Sequence, residues 1–293
     1  MSITLFLGYP SNPSLGLLHQ HALRRSDQRV VFLDLNDYPR ELPFYLRVTR
    51  DGTMDGCLYP RREAPVPLSE VSCVYAHNLA ISPDARPGLT EDDWKYTQAE
   101  CWATVTVLLE ALRLGCPVAN FIRSRRDTES RLSRLAVLTR HGLPVARCLV
   151  TSRSTSAHRF FSECRGRVRY SAIMGVNPSQ AMGEDDLARL ALLQHAPAFF
   201  ESVPKGELSW LAIVAGEAFS CPDHAPPPDP VIVSACLAAA RSLDLTLAEV
   251  ALRRLPNGTH QVVDMATFLS PGILQNRRVL QAALNLSKGA LVA

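Results

Sequence analysis

The residues with the most chemistry to offer are scattered along the chain rather than gathered in one motif. Arg123, Arg125 and Arg126 place three guanidiniums within a short stretch. Such a cluster reads as a phosphate-facing patch or as the solvated entrance of a helix, and no aromatic residue is interleaved with it to stack a base. His77 lies inside the apolar run Val71–Leu79, where a satisfied core histidine and a ligand are both open readings. Tyr75 to Asn78, at the end of that run, can face a substrate. Ser171 has no histidine close in sequence to activate it as a nucleophile. Eight cysteines occur without a C-x-x-C pair, most of them in apolar runs such as Arg147-Cys148-Leu149-Val150. That usage points to buried thiols in a reducing cytoplasm rather than to disulfides or zinc. Trp94, Trp102 and Trp210 read as packing residues.

Bulk properties limit the partners. A chain of 293 residues exceeds the usual single domain, so two or three associated subdomains are expected. With 47% hydrophobic and 20% charged residues, a sizeable core is available. A formal charge of +3 without a polybasic tail argues against nucleic acid. No secretory signal is evident at the N-terminus. The longest apolar region, 101–119, is interrupted by Glu110 and Arg113, which argues against a membrane span.

Any such chemistry needs elements to position it. Ile3–Leu7 and Val30–Leu35 are short apolar runs of the kind that form buried strands, and Ser14–Arg24 between them has helical spacing. Strand, helix, strand predicts a parallel α/β sheet. Arg50-Asp51-Gly52-Thr53 reads as a hairpin turn, and Val71–Leu79 as another strand. Thr90 is the predicted N-cap of a long helix, with Asp93 as its capping partner and acids in the first turn. That helix is expected to stop at Gly115. Arg131–Arg140 is amphipathic and closed by His141-Gly142, and strands follow at 148–151, 168–173 and 198–203 around a helix at 155–162. A hairpin over 211–219, a helix at 231–243, an antiparallel pair at 245–252 and 260–265, and a helix at 274–286 complete the reading. Apolar positions exposed on that last helix would suit a homodimer.

This order resembles the ATP-grasp superfamily, in particular ligases related to ribosomal-protein glutamate ligase and to the maturases of ester- or amide-cyclised peptides. The most specific stretches are Ala136-x5-Gly142-Leu143-Pro144-Val145-Ala146-Arg147-Cys148-Leu149-Val150-Thr151 and Ala196-Pro197-Ala198-Phe199-Phe200-Glu201-Ser202-Val203-Pro204-Lys205. The resemblance implies an α/β fold with an N-terminal parallel domain (1–120), a small central subdomain (121–200) and a C-terminal antiparallel subdomain (201–293). It also implies ATP and Mg2+ held between two sheets, where a carboxylate is phosphorylated and an amine or hydroxyl attacks the acyl phosphate.

Several positions depart from that pattern. The family's first phosphate-binding Lys falls at Arg131 and its second at Ser171, with Arg169 two residues before on the same strand face. The glycine-rich loop falls on Gly175-Val176-Asn177-Pro178-Ser179-Gln180 and Gly183. The hinge keeps Glu201, with Ser202 and Val203 offering backbone to adenine. In Ser209-Trp210-Leu211-Ala212, Leu211 stands where the family has Arg. Glu249 and Asp264 are the implied metal carboxylates, and Ala266 replaces an amide ligand; as bare residues the two acids read equally as solvated hairpin positions. Charged contacts are worth roughly 1.5–3 kcal/mol each, so these losses weaken or abolish ATP and Mg2+ binding.

The expectation is an ATP-grasp-fold protein with an eroded site, serving as a pseudoenzyme or binding subunit. Its partner would be a peptide or small-molecule carboxylate, or a partner enzyme. The alternative is an active carboxylate–amine ligase whose site is rebuilt with Arg131, Arg140, Arg169 or Lys205. A nucleotide-independent α/β binding protein is a third reading.

Overall fold

The computed structural model describes residues 2–25, 28–50, 52–61, 63–77, 79, 89–120, 130–173, 179–222 and 227–288. Asn78, the arginine cluster at 123–126 and residues 175–178 of the glycine-containing stretch lie outside them. The chain divides into two compact units. The first comprises 1–121, 245–247 and 268–293; the second comprises 122–244 and 248–267. Residues 268–293, expected with the C-terminal subdomain, thus belong with the N-terminal one.

In the first unit, β1 (Ile3–Gly8) leads through α1 (Pro13–Leu23) to β2 (Arg29–Asp34). Asn12 caps α1 by accepting from the Leu15 N–H, and Pro13 sits at its first position, where a missing N–H costs nothing. An antiparallel three-stranded sheet follows: β3 (Phe44–Val48), β4 (Met54–Leu58) and β5 (Val66–Pro67). The chain then returns as β6 (Val71–Ala76), passes through α2 (Glu91–Gly115) and ends at β7 (Val118–Ala119). The main sheet is parallel in the order β2–β1–β6–β7. Every residue of β1 is buried, as a central strand covered on both faces requires. Thr90 caps α2 and forms a full capping box with Asp93.

The anticipated last helix is split into α7 (Pro271–Leu274) and α8 (Arg277–Leu284), with Asn276 capping the second. Val279, Ala283 and Leu284 are buried, so the exposed apolar positions anticipated on this helix are not there. Tyr75 donates its hydroxyl to the Ala283 carbonyl at 2.5 Å.

In the second unit α3 (Arg131–Arg140) precedes β8 (Cys148–Thr151), α4 (Ser154–Glu163), β9 (Val168–Ser171), β10 (Gln180–Ala181), α5 (Glu184–Arg189) and β11 (Ala198–Ser202). These strands form a sheet in the order β10–β9–β11–β8. The short β10 and α5 escape a periodicity reading because neither is long enough to show a period. Next come β12 (Glu207–Val214), β13 (Glu217–Cys221), α6 (Pro230–Ser242), β14 (Leu247–Arg254) and β15 (His260–Ala266), giving a second antiparallel sheet ordered β13–β12–β14–β15. Val145 bridges to Val262, and the Val262 N–H donates to the Pro144 carbonyl at 2.7 Å.

All eight cysteines are free, and only Cys148 is more than marginally accessible, in keeping with the buried thiols read from the sequence. Trp102, by contrast, is 43% exposed and is not a core residue. No described helix is long and apolar enough to cross a membrane.

Candidate functional site

The register of the first antiparallel sheet in the second unit decides which residues meet. Glu201 on β11 lies opposite Arg169 on β9 and Cys148 on β8, and Phe199 lies opposite Ser171. Because side chains alternate along a strand, Glu201, Arg169, Ser171 and Phe199 share one face. Phe200, Tyr170 and Leu149 occupy the other, in a core with Phe160 and Leu193.

Arg131, the first residue of α3, reaches this face. Its Nη2 donates to Glu201 Oε2 at 2.5 Å and to the Val263 carbonyl at 3.2 Å. Its guanidinium carbon lies 5.3 Å from the centre of the Phe199 ring, a cation–π distance. One turn later, Arg134 grips Asp264 with two bonds, Nε to Oδ1 at 3.2 Å and Nη2 to Oδ2 at 2.9 Å. Arg131 Nε stands 3.5 Å from the same Oδ2, and the Met265 N–H donates to Oδ1 at 2.8 Å. Two guanidiniums and two carboxylates thus form one network at the junction of α3, β11 and β15.

Glu201 is 2% exposed, so it is no surface strand residue. Burial raises its pKa above the ordinary carboxylate value, the charge of Arg131 opposes that shift, and Asp264 adds to it. Arg134 was not singled out from the sequence. Its signal was there, one helical turn after Arg131 on the same face.

The remaining anticipated residues fall less simply. Ser171 donates to the Ala172 carbonyl at 3.1 Å. The N–H groups of Ser202 and Val203 both donate inside the protein, to Arg147 and Arg167 carbonyls at 2.9 Å each. They are therefore already engaged where adenine recognition was anticipated. Leu211 is 1% exposed within β12. Glu249 is opposite Ala266, and Asp264 is opposite Ala251, so the two acids share a face of the β14–β15 pair.

Asp264 is held by Arg134 rather than turned to open space. Magnesium wants hard oxygen ligands in an octahedron, whereas both Asp264 oxygens accept bonds from Arg134. Among the described residues no group of three or more His, Cys, Asp or Glu can hold a metal. The space beside Glu201 is also small. A cavity of about 10 Å³, lined by Arg169, Glu201, Ser202, Arg253, Gln261 and Val263, has room for roughly one water. Glu201 Oε1 and Gln261 Oε1 are buried there without a hydrogen-bond donor.

A larger cavity of about 320 Å³ opens on the opposite face of the β9–β11 pair. Its walls are mainly apolar, including Tyr170, Phe200, Met182, Leu190 and Leu193, with Asp186 and Arg189 as the charged groups. The Tyr170 hydroxyl donates toward Gln180 and Asp186, at 3.0 and 3.2 Å. The sequence pattern does not distinguish this cavity, because part of its wall comes from the undetected α5 region.

Compared with solved structures, the chain takes the fold of the ATP-grasp ligases over nearly its whole length. One similar structure is a RiPP-associated ATP-grasp ligase of Chryseobacterium gregarium in complex with ADP and a leader and core peptide. It shares 14% identity and a TM-score of 0.78, with 98% of this chain and 97% of that chain covered. Another is the macrocyclase MdnC of Microcystis aeruginosa, bound with its precursor peptide MdnA, at 16% identity and a TM-score of 0.79, covering 98% and 99%. The ligase PsnB, complexed with precursor peptide PsnA2 and AMPPNP, gives 19% identity and 0.73, covering 97% of both chains. No family model matches the sequence, and no match is found among curated proteins.

Proposed function

We propose that this chain is an ATP-grasp-fold binding protein of a peptide-modification system, whose nucleotide and metal site has been replaced by an internal ion network. The observation that carries this reading is the two-bond grip of Arg134 on Asp264. The carboxylate at the position implied for magnesium already has its counter-charge, covalently tethered one turn from Arg131. A solution cation would have to displace a bidentate guanidinium, among the stronger charge-assisted bonds available to a carboxylate. Arg131, at the implied phosphate position, is spent on Glu201 in the same way.

A peptide is the ligand class favoured by the fold's neighbours, which are complexed with precursor peptides. The 320 Å³ cavity is of a size and lining to take one or two apolar side chains.

One observation favours the alternative of a working ligase. Glu201 Oε1 and Gln261 Oε1 are buried acceptors without donors, and such groups are costly unless something supplies an N–H. An amino group of a bound base would do so if the network opened.

Calorimetric titration with ATP, with and without magnesium, separates the two. The binding-protein reading expects no magnesium-dependent heat in the wild-type chain. Tight, magnesium-dependent binding that disappears in Asp264→Ala would overturn it in favour of the ligase.

A further inference from the structure

The long helix α2 buries Cys101, Val105, Leu108, Leu109 and Leu112 in the core of the first unit. On its outer side, Tyr96, Ala103, Val107 and Leu114 fall within about 20° of a single line at 3.6 residues per turn. All four are exposed, and the three larger ones are 67%, 50% and 77% accessible. From Tyr96 to Leu114 the line runs for about 27 Å, or about five turns. The inner face already anchors the helix, so this second apolar line adds nothing to the packing of the unit. A contiguous apolar line on an anchored helix marks a surface for another molecule.

Charge decides what can cover it. Asp93 and Glu100 lie about 40–60° to one side of the line, and Asp92 and Glu110 about 40° to the other. All four carboxylates are exposed. No base of α2 falls within this strip. Lys95 pairs with Glu91 at 2.6 Å, and both Lys95 and the half-buried Arg113 lie about 100° away from the line. The acidity is local, because the chain as a whole carries a net charge of +3. A second copy of α2 would set carboxylates against carboxylates, which opposes association. The matching surface has the reverse pattern, an apolar line with Lys or Arg on both flanks. A helix suits the straight course of the line, and Ala103 near its middle lets the two axes approach closely.

We propose that the outer strip of α2 is a docking surface for a basic amphipathic helix. The apolar line of the incoming helix packs on Tyr96, Ala103, Val107 and Leu114, and its basic flanks meet Asp92, Asp93, Glu100 and Glu110. Burial of the apolar line supplies most of the affinity, while the charges select the partner. Exposed charges are screened by salt, so binding weakens as ionic strength rises. The surface belongs to the first unit, and the proposal is independent of what the second unit binds.

Two labelled helical peptides of about 18 residues, long enough to follow the line, test it by fluorescence anisotropy against the full chain. Both carry the same line of leucines; one has Lys on both flanks and the other has Glu. The wild type is expected to bind the lysine peptide, more weakly as salt rises, and not the glutamate peptide. The Glu100→Lys, Glu110→Lys double variant is expected to bind the lysine peptide about tenfold more weakly and to gain binding of the glutamate peptide. Val107→Asp is expected to lose the lysine peptide, because it puts a charge on the apolar line. A wild type that binds neither peptide, or both alike, would overturn the proposal. A double variant that keeps the wild-type preference would overturn it too, by placing the binding elsewhere on the chain. Circular dichroism checks the fold of each variant. Should the lysine variant fail to fold, Glu100→Gln with Glu110→Gln is expected to weaken the lysine peptide and flatten its salt dependence; unchanged binding there would also overturn the proposal.

Discussion

Arg131 Nη2 lies 2.5 Å from Glu201 Oε2, with side chains only 15% and 3% accessible. The two residues are seventy positions apart in the chain. At this burial neither charge is solvated well enough to stand alone. Arg131→Met should therefore leave an uncompensated carboxylate and cost about 3 to 5 kcal/mol, and Glu201→Gln, which keeps the shape but removes a charge that burial disfavours, should cost less. The double variant should recover a large part of the loss. Urea unfolding of the wild type, the single variants and the double variant measures the coupling; additive losses would show that the pair does not act as a unit.

Glu201 also sets a pH dependence. Burial, the largest influence, raises its pKa in the folded state above the ordinary carboxylate value. The native chain then binds more protons than the unfolded one just above that value, so stability falls as pH rises through the window. The contribution is fully present below the ordinary carboxylate pKa and is lost above the raised one. Unfolding midpoints across this range should decline more for the wild type than for Glu201→Gln.

His77 works in the opposite direction. Its ring stacks on Phe268 at 4.2 Å and 9°, and burial lowers its pKa from 6.5 to about 4. The unfolded chain binds the proton first, so stability is lost as pH falls through 6.5 toward 4. A shift of this size is worth about 3 kcal/mol at the acid limit. His77→Phe keeps an aromatic ring at the position and should flatten that slope, as thermal melts over this range would show.

Asn120 ties a left-handed backbone position to a distant strand. At φ 55°, its side chain donates to the Leu247 carbonyl and accepts from the Leu247 N–H, each at 2.7 Å. Asn120→Ala loses both bonds and strains the backbone, for about 2 to 4 kcal/mol in total. Asn120→Gly relieves only the strain and should be the milder of the two by chemical denaturation.

Leu211 tests whether the missing family arginine can be put back. It is 1% exposed in β12, so Leu211→Arg would bury a guanidinium with no partner provided for it. The expected outcome is a loss of about 3 kcal/mol or more in stability with no gain of magnesium-dependent ATP binding by calorimetry.

The sequence by itself determined the longer elements and their order. Apolar runs marked β1 and β6, the Thr90–Asp93 box placed the start of α2, and the spacing in Arg131–Arg140 gave α3, because these signals act over a few residues. The family resemblance pointed to Arg131, Glu201 and Asp264 one at a time. Only the tertiary structure decided that they meet. Arg134 reaches Asp264 across 130 positions, and Glu201 is buried because β11 lies inside its sheet with Arg131 above it. Side-chain direction at such a junction depends on the packing of α3 against two sheets and on their register, where a slip of one residue turns every side chain to the other face. A carboxylate suited to magnesium and one locked by a guanidinium look alike in sequence, because the difference lies in what the fold brings within 3 Å of its oxygens.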